Sequence, residues 1–201
     1  MWQHYFVMNL PNILTILRTL LTFVCVALLC IDAKYTAFSA LIIYIIAGST
    51  DWFDGYLARK YNVGTVFGKF MDALSDKIMV ATMFMTLFAF DMYRDWAISA
   101  LACAIISMTR EFAVSGIRMI ASNAGVVLAA EKIGKYKAAF QMYSMGAIIC
   151  AFALKVDFDA VGSILYNLAF YSGIATLYLS TFLSIWSGVG YITRYAHLLK
   201  A

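Results

Sequence analysis

Long apolar runs, separated by short charged segments, constrain the fold of this chain more than any other feature of its sequence. A helix needs about 20 mainly apolar residues to cross a bilayer, and runs of that length recur along the whole chain. Hydrophobic residues make up 64% of the 201 positions, whereas soluble domains contain roughly 45–50%. A water-soluble core cannot enclose that much apolar surface. The sequence therefore predicts an integral membrane protein.

The charged breaks divide the apolar sequence into six predicted membrane spans. No internal repeat or low-complexity linker separates them, so we expect a single domain over residues 1–201. The predicted fold is all-α, an integral membrane bundle of six transmembrane helices. The spans are Ile13–Ile31, Thr36–Tyr56, Phe67–Phe90, Trp96–Ile120, Ala138–Leu154 and Leu165–Tyr195.

Lysine and arginine residues are distributed unevenly between the two ends of the predicted helices. Of the 15 such residues, only Lys34, Arg94 and Lys155 fall on one side. Positively charged segments stay preferentially on the cytoplasmic side of a membrane. We therefore expect both termini, and the basic end of the bundle, to face the cytoplasm.

Five acidic residues lie near or within the apolar helices, namely Asp51, Asp54, Asp72, Asp76 and Glu111. An aspartate near the centre of a membrane helix costs about 2.5–3.5 kcal/mol on insertion scales, so intramembrane carboxylates are usually functional. Asp51 and Asp54 share one face of the second predicted helix, and Asp72 and Asp76 share one face of the third. The two pairs can therefore face each other across a groove.

Four converging carboxylates would repel one another unless cations neutralised their charge. Two divalent ions would balance that charge. Ligation by carboxylate oxygens suits Mg²⁺ or Mn²⁺, and the sequence places no histidine or cysteine nearby that would favour zinc. Such ions commonly bridge to substrate phosphates. The pattern therefore predicts a site with two metal ions and a phosphate-containing substrate.

The aspartates belong to one continuous pattern that also contains small residues. It consists of Asp51-x-x-Asp54-Gly55-x-x-Ala58-Arg59 and, eight residues later, Gly68-x-x-x-Asp72-x-x-x-Asp76. This pattern, over residues 51–76, resembles the signature of the CDP-alcohol phosphotransferase family. The resemblance implies a six-helix membrane protein, usually a homodimer. Such an enzyme transfers a phosphatidyl or similar group from a CDP-linked donor to an alcohol and releases CMP.

The resemblance also implies roles for the four aspartates. By that likeness Asp51, Asp54 and Asp72 ligate the metal ions. Asp76 would be the catalytic general base that deprotonates the acceptor hydroxyl, and it would also contact metal. These roles are chemically consistent, because the metal ions stabilise the departing CMP while a base activates the nucleophile.

The remaining signature residues are assigned to nucleotide binding by the same likeness. Gly55, Ala58 and Gly68 would line the nucleotide site, since small residues let a ligand approach the backbone closely. Arg59 would help to bind the diphosphate, or it would anchor the cytoplasmic end of its helix.

A second group of polar residues bears on the identity of the acceptor. The segments Thr109-Arg110-Glu111-x-x-x-Ser115-Gly116-x-Arg118 and Gly134-Lys135-x-Lys137-x-x-x-Gln141 place several cations near the ends of helices four and five. Arginine can bind phosphate bidentately and lysine adds a compact charge. Arg110, Arg118 and Lys135 are thus predicted to bind the phosphate of glycerol 3-phosphate.

Alternative roles exist for several of these charges. Positive-inside anchoring explains Lys132 and Lys137 as well as substrate binding does. Glu111 and Arg118 are seven positions apart and fall within about 20° of each other on a helix, so we expect a structural ion pair between them.

Within the family, these two segments resemble those of the bacterial members that join CDP-diacylglycerol and glycerol 3-phosphate. The N-terminal residues show the same resemblance, namely Asn9-Leu10-Pro11-Asn12-Ile13-Leu14-Thr15 and Arg18. The implied location is the bacterial inner membrane, among its lipids, with the active site facing the cytoplasm. Nucleic acid is not an expected partner. Members that use inositol phosphate, serine or phosphatidylglycerol as acceptor remain alternatives. Outside the family, a divalent-cation transporter would also place carboxylates in a membrane.

Overall fold

Six long helices account for most of the chain. The computed structural model describes the backbone of residues 2–61, 66–123 and 132–195, and the side chains of residues 13–50, 71, 73–121 and 133–195. Within these ranges the protein is all-α, with one additional short 3-10 helix at Arg94–Trp96. The long helices are α1 (Trp2–Leu29), α2 (Thr36–Tyr61), α3 (Val66–Ala89), α4 (Ala97–Asn123), α5 (Lys132–Val156) and α6 (Ile164–Tyr195).

Each predicted span corresponds to one of these helices, and the largest differences lie at two helix starts. α1 begins at Trp2, well before the predicted span at Ile13, and α5 begins at Lys132 rather than near Ala138. Apolar runs predict only the part of a helix that can lie in a bilayer. The residues before the first and fifth apolar runs include polar and charged ones. They can form helix, but they lie outside the apolar pattern from which the spans were predicted.

Several helical segments have the length and composition of membrane helices. Among the described residues, three are long and apolar enough to cross a bilayer: Arg94–Ala121, Ile133–Val156 and Ile164–Tyr195. Ile13–Leu29 and Thr36–Thr50 are shorter apolar helical segments. The outward faces carry large exposed apolar side chains such as those of Ile98, Met85 and Ile164. An exterior of this kind suits lipid and would be unfavourable in water.

Over residues 180–189, the sixth helix has its polarity inverted relative to a helix of a soluble protein. Its buried face carries hydroxyl side chains, whereas its exposed face carries large apolar ones. Ser180 and Thr181 donate hydrogen bonds to the Leu177 carbonyl oxygen, at 2.8 and 2.9 Å, so their burial leaves no hydroxyl proton unsatisfied. The buried polar residues are Ser180, Thr181, Ser184 and Ser187, and the exposed apolar ones include Phe182, Ile185, Trp186 and Val189.

Small residues allow the helices to approach each other closely. The Ser144 hydroxyl of α5 donates to the carbonyl oxygen of Gly173 in α6, at 2.7 Å. A Cβ atom at Gly173 would lie only 3.0 Å from the Ile148 side chain. Close packing of this kind is typical of membrane helices, which lack a hydrophobic driving force for association. α1 and α5 each pack against both α2 and α3, the helices that carry the signature aspartates.

Three connections form what we call the loop end of the bundle: residues 30–35, 90–96 and 157–163. The Asp157 carboxylate accepts hydrogen bonds from the backbone N–H groups of Tyr35 and Phe38, at 2.9 and 2.6 Å. It thereby satisfies N–H groups at the start of α2, which have no partner within their own helix. Tyr35 has a φ of 66°, a left-handed conformation that is costly for a side chain of this size. The Asp157 contact therefore stabilises a strained turn.

Candidate active site

A cavity of about 280 Å³ lies among the helices, away from the loop end. All six helices contribute side chains to its lining. Among the described residues that line it, basic side chains outnumber acidic ones. The acidic residues are Asp76 and Glu111, and the basic residues are Arg18, Lys77, Arg110, Arg118, Lys135 and Lys137. A concave surface with this excess of positive charge favours an anionic ligand.

Asp76 of α3 enters the cavity beside a buried arginine of α1. Its side chain is 55% exposed, and its carboxylate forms a salt bridge with the Arg18 guanidinium, which is 1% exposed. One residue earlier, the hydroxyl oxygens of Ser75 and Thr19 lie 3.0 Å apart across the same two helices. The contact between α1 and α3 therefore directs the carboxylate into the cavity. A charge-assisted hydrogen bond of this kind fixes orientation as well as charge.

Arg110 of α4 is held against α6. Its Nη2 atom donates to the Ser187 hydroxyl at 2.9 Å. A Cβ atom at Gly188 would lie 2.9 Å from the Arg110 Cγ, so only glycine leaves room for the base of this side chain. The Arg110 Nε atom is buried and has no hydrogen-bond partner among the described residues. Arg110 is therefore fixed in position with a donor still available.

The other two predicted phosphate ligands lie at the same cavity. The Arg118 Nε atom donates to the Tyr191 hydroxyl at 3.3 Å, and its guanidinium lies 5.6 Å from the centre of the Tyr191 ring. Lys135 of α5 is exposed and also lines the cavity. The structure thus brings Arg110, Arg118 and Lys135 to one cavity that also contains Asp76.

The expected ion pair between Glu111 and Arg118 is wrong. Glu111 forms a salt bridge with Lys137 of α5, whose side chain is 2% exposed, and its carboxylate lies 3.8 Å from Arg110 Nη1. Residues seven apart on one helix align in angle but are separated by about 10 Å along the axis. A cation on a neighbouring helix can approach more closely. Lys137 is consequently neither a surface anchor nor a free cation.

Several predicted site residues have side chains outside the described part of the chain. Asp51 and Asp54 belong to α2, and Asp72 belongs to α3, one turn before Asp76. Among the side chains that the structure describes, no group of three or more His, Cys, Asp or Glu residues could hold a metal ion. The metal ligands and the nucleotide-binding residues therefore remain predictions. The residues not described at the side-chain level are Asp51, Asp54, Gly55, Ala58, Arg59, Gly68, Asp72 and Lys132.

Sequence reasoning missed three features of the cavity. Arg18 appeared in the N-terminal pattern, but nothing in the sequence indicated that it pairs with a residue 58 positions away. Gly188 carries no distinguishing signal, because glycine is common in membrane helices. Gln141 lay within a noted segment without a role. It is 1% exposed, lines the cavity, and its Nε2 atom has no hydrogen-bond partner within the described regions.

Comparison with known proteins identifies the family. The sequence profile of the CDP-alcohol phosphatidyltransferase family matches residues 8–186. The chain therefore belongs to the CDP-alcohol phosphatidyltransferase family, and the resemblance noted from the residue 51–76 pattern is confirmed.

Named relatives add detail. The chain is 35% identical over 159 residues to the CDP-diacylglycerol–glycerol-3-phosphate 3-phosphatidyltransferase of Bacillus subtilis (strain 168), covering 79% of this chain and 74% of that protein. It is 29% identical over 187 residues to the Escherichia coli (strain K12) protein of the same name, covering 92% and 93% respectively. It is also 32% identical over 203 residues to a cardiolipin synthase (CMP-forming) of Oryza sativa subsp. japonica, covering 96% of this chain and 59% of that protein.

Proposed function

We propose that this protein transfers the phosphatidyl group of CDP-diacylglycerol to glycerol 3-phosphate, which yields phosphatidylglycerol phosphate and CMP. The observation that carries this proposal is the cavity that joins Asp76 to Arg110, Arg118 and Lys135. A carboxylate suits activation of a hydroxyl, and the three cations suit the phosphate of the acceptor. The Bacillus subtilis and Escherichia coli relatives, whose names specify this reaction, support the choice of acceptor.

The positions of the cations and of Asp76 in the cavity suggest how the phosphatidyl group is transferred. The phosphate of glycerol 3-phosphate binds to the arginine and lysine side chains, and this orients a hydroxyl toward Asp76. Asp76 accepts the hydroxyl proton while the oxygen forms a bond to the phosphorus of the phosphatidyl group. The bond between that phosphorus and the CMP oxygen breaks, and CMP leaves with the electron pair. Positioning of two bound substrates supplies much of the rate enhancement in such a reaction.

A divalent cation belongs to this proposal. Asp51, Asp54, Asp72 and Asp76 would hold two Mg²⁺ or Mn²⁺ ions, which stabilise negative charge on the diphosphate when bound. The donor set fits, because carboxylate oxygens are the preferred ligands of these ions. The exposed Asp76 carboxylate and the helical spacing of each aspartate pair are compatible with it. Gly55, Ala58, Arg59 and Gly68 would form the adjoining nucleotide site.

We further propose that all six helices span the bacterial inner membrane as one domain, with both termini and the cavity mouth on the cytoplasmic side. The basic residues of the cavity agree with the positive-inside rule. CDP-diacylglycerol would reach the site from the surrounding lipids. The protein would be a homodimer, which would cover part of the exposed apolar surface.

The test is CMP release by the purified protein in detergent with CDP-diacylglycerol and Mg²⁺. Glycerol 3-phosphate, inositol phosphate, serine and phosphatidylglycerol are offered separately. We expect release only with glycerol 3-phosphate, loss of release on adding a chelator, and recovery with Mg²⁺ or Mn²⁺.

Other outcomes are equally informative. Release of CMP with phosphatidylglycerol alone would show that the proposed acceptor is wrong. Release that persists with a chelator would remove the metal ions from the proposal. A folded protein that releases no CMP with any of the four acceptors would contradict the proposed reaction.

A further inference from the structure

Gln141 is a polar residue of the cavity to which the proposed reaction assigns no role. Its side chain is almost fully buried, yet it contributes to the cavity lining, and its Nε2 atom finds no acceptor among the described residues. A buried amide donor without a partner is unfavourable by itself. Its presence beside an open cavity therefore points to an oxygen atom supplied by a ligand.

The surroundings of Gln141 differ from those of the basic residues. It lies six residues, or about 9 Å, further along α5 than Lys135. Apolar side chains of Met108, Met142 and Met145 line the cavity with it. A phosphate with two negative charges would lose much of its hydration in such a setting, whereas an uncharged hydroxyl would lose little. The amide thus suits a hydroxyl group, while the phosphate suits the arginine and lysine side chains.

Lys137 strengthens this division of roles. It lies one turn before Gln141 on α5, but its ammonium group is neutralised by Glu111. The Tyr44 hydroxyl in turn donates to the Met142 carbonyl oxygen at 2.9 Å, so it is already satisfied. The Gln141 amide therefore remains an available neutral donor in this part of the cavity.

Resting on the proposed function, we infer that Gln141 is a specificity-determining residue that donates a hydrogen bond to the second, non-reacting hydroxyl of glycerol 3-phosphate. The acceptor is then bound at three points: its phosphate by the cations, its reacting hydroxyl by Asp76, and its second hydroxyl by Gln141. A site built to pair with a hydroxyl discriminates strongly against an analogue that lacks it, because the buried amide is left unpaired. Selection among phosphorylated alcohols would then depend on Gln141 rather than on the cations.

The experiment compares glycerol 3-phosphate with 3-hydroxypropyl phosphate, which lacks only the second hydroxyl. We expect the wild-type enzyme to show at least a tenfold lower kcat/KM with the analogue, as the loss of one well-placed hydrogen bond predicts. In Gln141→Met, which keeps the volume and removes the donor, the two acceptors should be used with nearly equal kcat/KM. The KM for CDP-diacylglycerol should stay unchanged.

Controls separate this inference from misfolding and from failure of the proposed function. Tyr143→Phe changes an exposed side chain on the same helix and should keep the wild-type preference. If Gln141→Met does not fold, Gln141→Leu, which also lacks any hydrogen-bonding group, takes its place. Equal use of both acceptors by the wild type, or an unchanged preference in the variant, would overturn the inference. Wild-type protein without activity on glycerol 3-phosphate would instead overturn the proposed function.

Discussion

Two charged residues at the loop end, Asp157 and Arg94, differ from the polar residues of the cavity in their hydrogen bonding. At the loop end the Asp157 carboxylate accepts two backbone N–H groups, and Arg94 donates to the Tyr166 hydroxyl at 3.0 Å. In the cavity the Arg110 Nε and Gln141 Nε2 atoms lack partners within the described structure. Paired groups contribute to stability, whereas buried unpaired donors cost free energy and are available to a ligand. The paired residues thus support the fold, and the unpaired cavity donors are candidates for the proposed substrate binding.

The largest expected effect comes from Asp76→Asn. Loss of a general base typically costs 10²–10⁴ in rate, so we expect CMP release to fall about a thousandfold. Binding of CDP-diacylglycerol should change far less than kcat. The control is Asp95→Asn, which removes an exposed carboxylate at the loop end and should leave the rate unchanged. A variant in which only CDP-diacylglycerol binding weakens would reassign Asp76 as a binding residue.

Arg110→Ala should raise the KM for glycerol 3-phosphate by about a hundredfold, since a charged hydrogen bond contributes about 1.5–3 kcal/mol. Steady-state kinetics at saturating CDP-diacylglycerol would measure this. Lys155→Ala removes one positive charge from an exposed position near the loop end, and should not alter the KM. The phosphate-binding role would be refuted by equal acceptor dependence in the two variants.

Asp157→Ala tests the loop end. Two backbone N–H groups would lose their acceptor, so the free energy of unfolding should fall by about 2 kcal/mol. A lower Tm in detergent would report this change, while the KM for glycerol 3-phosphate stays constant below the transition. Asp159→Asn, at an exposed position in the same loop, is the matched control. A changed KM with an unchanged Tm would show that Asp157 affects the active site and not the stability of the fold.

The smallest effect is expected for Gly188→Ala. The new Cβ atom would meet the Arg110 Cγ at 2.9 Å and displace the guanidinium, which should raise the acceptor KM about tenfold. Gly190→Ala provides a close control, because a Cβ atom there meets nothing within 4 Å. Identical kinetics for the two variants would show that Arg110 placement does not depend on this glycine.

The sequence predicted the helices better than the contacts between them. Apolar runs located six helices, and even the Thr36 boundary agrees with the structure, because membrane crossing imposes a strong length requirement. The sequence also predicted that Arg110, Arg118 and Lys135 lie close enough to share one phosphate, and the structure places all three at one cavity. The Glu111 pairing failed because helical spacing describes a single helix, while its true partner, Lys137, belongs to another.

The features missing from the sequence prediction share one cause. Arg18, Gly188 and Gln141 matter through atoms that approach them from distant parts of the chain. Nothing in the residue pattern specifies that a glycine on α6 makes room for an arginine on α4, or that an amide lacks a partner. Such information arises only from the packing of helices in three dimensions.

The contact between Asp157 and the start of α2 has a consequence for biosynthesis. The N–H groups of Tyr35 and Phe38 precede their acceptor by 122 and 119 residues, so they emerge from the ribosome long before it exists. While the first four helices are synthesised, these N–H groups must be hydrogen-bonded to water instead. The α1–α2 hairpin is therefore completed only after α5 and Asp157 have been synthesised, and a nascent chain truncated before that point lacks the hydrogen bonds that stabilise the turn before α2.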